Sequence, residues 1–153
     1  MSVSKRIAFL VDSDLANVSL VGMAVNKICS QIPLSDIESY NVELCVVEAV
    51  TNSIIHAYNR EGGQSVRVGL TLHPDRLILE ICDKGTPIGR DELHREDALY
   101  VDPDNIETIP EGGRGIAIIR EVMDSVVYRT EDGKNCLTLT KKLEGRNEGK
   151  DSA

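Results

Sequence analysis

The chain of 153 residues has no tryptophan, and its aromatics amount to one phenylalanine and four tyrosines. A core of that composition has to be built from Val, Ile, Leu and Ala, and the aromatic platforms on which single-stranded nucleic acids stack are missing. Positive charge is scarce as well: 17 Lys and Arg stand against 25 Asp and Glu, a net charge of −8. That balance repels phosphate backbones and anionic membrane surfaces, so neither direct nucleic-acid binding nor membrane attachment is expected. The apolar run after Arg6 ends at Asp12, too short for a signal-peptide core or for the roughly 20 residues of a membrane span.

Cysteine is present but unpaired in pattern. Cys29, Cys45, Cys82 and Cys136 lie far apart, each inside an apolar segment, with no C-x-x-C and no metal-ligand spacing. The expectation is four buried free thiols in a reducing compartment, and a cytoplasmic protein.

With 41% hydrophobic residues distributed in periodic segments, the chain suits one domain with its own core over residues 1–143. The stretch 144–153 is polar and without period, and reads as a disordered tail. Ile7 to Val11 is expected as a strand. A helix follows from Ser13 or Asp14 to Pro33, with Leu15, Val18, Val21, Val25, Ile28 and Ile32 as its apolar residues. Ser35 and Asp36 cap a second helix that keeps its period through Ile37, Leu44, Val47, Thr51 and Ile55 to Tyr58. Val66 to Leu72 and Leu77 to Ile81 alternate around His73-Pro74-Asp75, which predicts a hairpin. Lys84 to Gly113 has no sustained period, and its length and flanking glycines point to a lid over about 84–113. A short helix over Ile116 to Met123 and two strands, Ser125–Thr130 and Cys136–Lys142, complete the reading around a turn at Glu131 to Lys134.

Three places carry chemistry. Glu48 and Asn52 are four apart and project from one helix face, with Glu48 falling between Leu44, Ile55 and Ile37 on the expected apolar stripe. A carboxylate there suits proton abstraction from an attacking hydroxyl, and the neighbouring amide oxygen suits a Mg²⁺ shell. Glu and Asn also occur together on ordinary solvated faces. Asp83 closes an apolar strand ahead of Lys84-Gly85, placing an acceptor-only side chain where buried strand meets loop. Asp-x-Gly alone is a common turn. Gly112-Gly113-Arg114-Gly115 runs into an apolar helix, which lets backbone amides approach a polyphosphate, although such runs also serve simply as loop ends.

Taken in order, these motifs resemble the GHKL ATPase superfamily, and within it the bacterial anti-sigma factor serine kinases. Glu48-Ala49-Val50-Thr51-Asn52-Ser53-Ile54-Ile55-His56-Ala57-Tyr58 is similar to the family's N box, Asp83-Lys84-Gly85-Thr86-Pro87 to its first glycine box and Gly112-Gly113-Arg114-Gly115-Ile116 to its second. The similarity extends over about residues 5–143. It implies an α+β fold of the Bergerat type: a two-layer sandwich with helices on one face of a mixed, mostly antiparallel sheet.

The same resemblance implies ATP and Mg²⁺ as cofactors. Glu48 would then be the general base, Asn52 the Mg²⁺ ligand, Asp83 the acceptor for the adenine amino group with Gly85 beside it, and Gly112 to Gly115 the phosphate turn. Arg114 would help neutralise transferring charge. Thr138 resembles the position where family members place a hydroxyl near adenine. His56 either touches phosphate or metal or is an ordinary surface histidine. The implied function is phosphorylation of a serine on a STAS-type antagonist, coupled to sequestration of a sigma factor, by a homodimer. A departure from the relatives' pattern follows Pro87, where Ile88-Gly89 replaces an aromatic and an acid and places lid packing in question. A non-catalytic ATP- or ADP-binding interaction switch, a histidine-kinase catalytic domain and a plain α/β interaction domain are the competing readings. An intact Glu48 and the small free-standing domain weigh against them.

Overall fold

The computed structural model describes residues 3–88 and 111–143, the side chains of 111–116 excepted. Most of the expected lid (89–110) and the expected tail (144–153) therefore lie outside the described residues.

The order of elements follows the sequence reading closely. Strand β1 spans Lys5–Asp12, and a 3-10 turn over Leu15–Asn17 leads into helix α1, Val18–Cys29. Helix α2, Asp36–Asn52, begins at a capping box: Ser35 Oγ accepts the Glu38 amide at 3.1 Å while the Glu38 carboxylate accepts the Ser35 amide at 2.8 Å. This reciprocal pair satisfies two otherwise orphaned donors and fixes where the helix starts. Strands β2, Ser65–Leu72, and β3, Arg76–Asp83, form the expected hairpin. Helix α3, Glu111–Val122, precedes β4, Ser125–Glu131, and β5, Lys134–Lys142. The β4–β5 turn has two consecutive positive φ angles, 54° at Asp132 and 76° at Gly133, the signature of the tight turn whose twist matches a hairpin.

The five strands are ordered β1-β2-β3-β5-β4, and each of the four pairings is antiparallel. Alternation sends one side of each strand into the core. Val66, Val68 and Leu70 of β2, Leu77, Leu79 and Ile81 of β3, and Leu139 of β5 are buried in one cluster with α1 (Val18, Val21, Val25) and α2 (Val42, Val46, Val50). Each such side chain contributes about 1.5–3 kcal/mol by leaving water, so this aliphatic layer is what fixes helices to sheet. The result is the two-layer α+β sandwich expected from the sequence. Among the described residues no helix is long and apolar enough to cross a membrane.

Two expectations need correction. The buried side of α2 is Ser39, Val42, Cys45, Val46, Ala49 and Val50, whereas Ile37 is 74% exposed and Leu44 is only half-buried. Glu48 thus sits half-buried at the margin of the buried face, not on the stripe assigned to it. The reason is that α2 packs against α1, α3 and the sheet, so it is apolar on several sides and its period is ambiguous. The second correction concerns the thiols. Cys29 and Cys45 are free and buried, as expected, but Cys82 and Cys136 are joined in a disulfide. They are direct cross-strand partners in the β3–β5 register, 54 residues apart in sequence.

Candidate functional site

Helix α2 does not stop at Asn52 but widens into a π-helical turn over Ser53–Ala57. The Tyr58 amide accordingly reaches back to Ser53 O at 2.9 Å. Asn59 and Arg60 then adopt left-handed φ angles of 53° and 63°, an arrangement that costs of order 1–3 kcal/mol per non-glycine residue and is concentrated at functional sites. The widened turn carries the end of α2 to the end of β3.

There the two elements are tied at several points. Ser53 Oγ donates to Asp83 Oδ2 at 2.9 Å, and the Thr86 amide donates to Ala57 O at 2.8 Å. The Tyr58 hydroxyl accepts the Lys84 amide at 2.8 Å and donates to Ser65 O at 2.7 Å. Gly85 lies so close to the helix end that a Cβ on it would collide with the carbonyl of Ala57 and come within 2.9 Å of the Ala57 side chain. The Asp-x-Gly turn therefore needs glycine for close approach. From the other side, Asn135 of β5 donates its Nδ2 to Asp83 Oδ1 at 2.8 Å and to Gly85 O at 2.9 Å.

Between α2, α3 and the β3-β5-β4 part of the sheet is a cavity of about 280 Å³, close to the lower end of the ~300–1,000 Å³ usual for small-molecule sites. Its walls are mostly apolar: Ala49, Ile81, Ile119, Val126 and Leu137. Asn52 and Ser53 line it from α2, Arg120 from α3, and Asp83 is the carboxylate in the lining. Asp83 is 8% exposed, and a buried carboxylate is tolerable only with donors around it; the three it has are Ser53 Oγ, the Gly85 amide and Asn135 Nδ2. The Tyr128 hydroxyl accepts the Ile88 amide at 2.9 Å and so ties the last residue described before 89–110 to β4. Burial raises the Tyr128 phenol above its ordinary pKa, which keeps it protonated.

Asn52 and Asp83 line the cavity together and the Gly85 amide donates to Asp83 Oδ1, with Glu48 one turn before Asn52 on the same helix. His56 is exposed and does not line the cavity. Thr138 does not join the group either. It follows Leu137, which lines the cavity, and precedes the buried Leu139, so alternation turns it to the opposite face, in a groove with Glu80 and Cys136. Gly112, Gly113 and Gly115 fall in the first turns of α3, which begins at Glu111 where a start at Ile116 was expected. The side chain of Arg114 lies outside the described residues. Ser53, Tyr58, Tyr128 and Asn135 were not picked out by sequence reasoning as site residues. Asn135 was open to it, because it shares a strand face with Leu137 and Leu139.

The described site is thus a mostly apolar slot with one satisfied carboxylate and a helix-borne amide. The chain belongs to the histidine kinase-like ATPase domain family, whose model matches residues 11–141. Within that family its similarity is to the anti-sigma factor serine kinases. It is 30% identical over 137 residues to an anti-sigma F factor of Clostridium acetobutylicum, covering 90% of this chain and 91% of that one. It is 30% identical over 136 residues to the serine-protein kinase RsbW of Staphylococcus epidermidis, covering 86% and 85%, and 27% identical over 128 residues to RsbW of Bacillus velezensis, covering 84% and 79%. Among solved structures, the SiaB-SiaC complex from Pseudomonas aeruginosa contains a chain of similar fold, with TM-score 0.57, 14% identity and 89% coverage of each chain.

Proposed function

We propose that the cavity is the adenine end of an ATP site and that the chain is an ATP-dependent serine-protein kinase, acting on a STAS-type antagonist protein and sequestering a sigma factor as a homodimer. The observation that carries this reading is the Asp83 carboxylate, oriented by three donors in the wall of a mostly apolar slot. An acceptor so placed matches the exocyclic amine of adenine, and the apolar walls match its faces.

The remaining roles follow from position. Triphosphate extending from such a base would run along α2 toward the first turn of α3, where Gly112 and Gly113 fall among the helix-start amides that have no intrahelical partner. Arg114 is assigned to the charge on the transferring phosphoryl group. Glu48 is assigned to the substrate serine hydroxyl: it takes the proton as the hydroxyl oxygen bonds to the γ-phosphorus and the bond to the bridging oxygen breaks, leaving phosphoserine and ADP. Asn52 offers a hard oxygen, and its amide makes no hydrogen bond to another described residue. The described residues contain no cluster of three or more acidic, His or Cys ligands. A single protein oxygen suits Mg²⁺, which forgoes all-protein cages; Asn52 would hold it, and the ion would supply neutralisation of phosphate charge. His56, being exposed, is given no part in the chemistry.

The test is phosphoryl transfer from γ-labelled ATP to a purified STAS-type protein with a serine acceptor. Label on that serine, absent when the serine is replaced by alanine, is the expected result. Tight ATP binding with no transfer to any such protein would overturn the kinase reading and leave a nucleotide-dependent interaction switch.

A further inference from the structure

Asn135 is 2% exposed and stands behind Asp83, outside the cavity lining. Its amide is engaged at both ends: Nδ2 donates to Asp83 Oδ1 and to Gly85 O, at 2.8 and 2.9 Å, and Oδ1 accepts the Thr130 hydroxyl at 2.8 Å. Two acceptors on one end and a hydroxyl on the other also fix which end carries the nitrogen. Thr130 and Asn135 are register partners on β4 and β5, and Asn135 pairs with Asp83 across β5 and β3. One amide therefore couples three strands' worth of backbone to a single carboxylate.

The effect on Asp83 can be counted. A carboxylate has about four lone-pair positions. The Gly85 amide and Asn135 occupy Oδ1, at 3.0 and 2.8 Å, and Ser53 occupies one position on Oδ2 at 2.9 Å. One position on Oδ2 is left. The terminal torsion of an aspartate is soft and roughly two-fold, so without a second donor on Oδ1 the free position is spread over a range of directions.

We infer that Asn135 is a positioning residue for base selectivity: by clamping Asp83 Oδ1 and the Gly85 carbonyl together, it aims the remaining Oδ2 acceptor at the 6-amino group of a purine. An aimed acceptor rewards the amine and repels a 6-oxo group, and discrimination of this kind is lost when the acceptor is free to turn away. This rests on the ATP reading of the cavity.

The experiment is calorimetric titration of the full chain and its variants with three probes: ATP, GTP and purine riboside triphosphate, which lacks the 6-amino group. The wild type is expected to bind ATP best. Asn135→Ala is expected to weaken ATP by about tenfold while leaving purine riboside triphosphate unchanged, so that the preference between them collapses. Thr130→Val, at an exposed position, removes the hydroxyl that holds the other end of the amide and is expected to reduce the same preference in part; it carries the test should Asn135→Ala fail to fold. Equal weakening of both ligands would make Asn135 merely structural, and an intact preference in the folded variants would remove its role. In either case the wild type still prefers ATP and the parent reading stands, whereas a wild type that binds none of the three triphosphates overturns both.

Discussion

Ser53 and Asp83 are 30 residues apart in sequence and 2.9 Å apart in space, the hydroxyl donating to Oδ2 of the carboxylate. That bond joins the widened end of α2 to the end of β3, and with it the two motifs that sequence order alone could only set side by side.

Replacing Glu48 by Gln keeps size and removes the proton acceptor. Transfer to a serine substrate is expected to fall by about 10²–10⁴-fold, with ATP affinity unchanged because Glu48 does not line the base cavity. Single-turnover transfer together with equilibrium binding checks both halves. Undiminished transfer would take Glu48 out of the mechanism.

Gly85→Ala is expected to destabilise the fold by about 1–3 kcal/mol and to weaken ATP binding, because the new methyl would strike the end of α2 at Ala57. Denaturant midpoints and a nucleotide titration read the two effects. A variant as stable and as tight-binding as the parent would show that the turn has room the structure does not give it.

The Cys82–Cys136 bridge closes a long loop, with its ends 54 residues apart. Opening it with dithiothreitol is expected to lower stability by up to about 4 kcal/mol in chain-entropy terms. The check is a denaturant midpoint with and without reductant, with thiols counted in the unfolded chain. An unchanged midpoint after complete reduction would contradict the expectation.

Burial pushes the thiols of Cys29 and Cys45 up to about 12. The neutral form is the one the fold accepts, so their contribution is fully present below the unfolded pKa near 8.5 and is lost as pH rises toward 12. Between those limits the native state holds more protons than the unfolded state, and stability is expected to fall with pH. The slope is up to about 1.4 kcal/mol per unit for each thiol, and Cys29→Ala with Cys45→Ala should flatten it. An equally steep fall in the double variant would assign the loss to other groups.

Much of the fold was legible because local signals agreed with one another. Ser35 and Glu38 announce the start of α2, His73-Pro74-Asp75 the β2–β3 turn, and Asp132-Gly133 the β4–β5 turn, and the period-2 runs between them define one sheet face. What escaped depends on pairings remote in sequence. The β3–β5 register sets Cys82 against Cys136 and Asp83 against Asn135, and nothing local to either strand specifies it. Alternation did contain the placement of Thr138, since its neighbours Leu137 and Leu139 face inward, but family resemblance drew attention to a hydroxyl instead. Glu48 was placed correctly by its spacing from Asn52 and incorrectly by its apolar neighbours, because a helix packed on several sides has no single stripe to read.

Whether the cavity receives adenine against Asp83 is decided by calorimetric titration of the wild type and of Asp83→Asn with ATP, in the presence and absence of Mg²⁺. The amide substitution keeps the shape but replaces an acceptor by a donor facing the 6-amino group. Saturable, Mg²⁺-dependent binding by the wild type and a loss of at least about tenfold in the variant is the predicted result. Equal affinities, or no binding by the wild type, would contradict it.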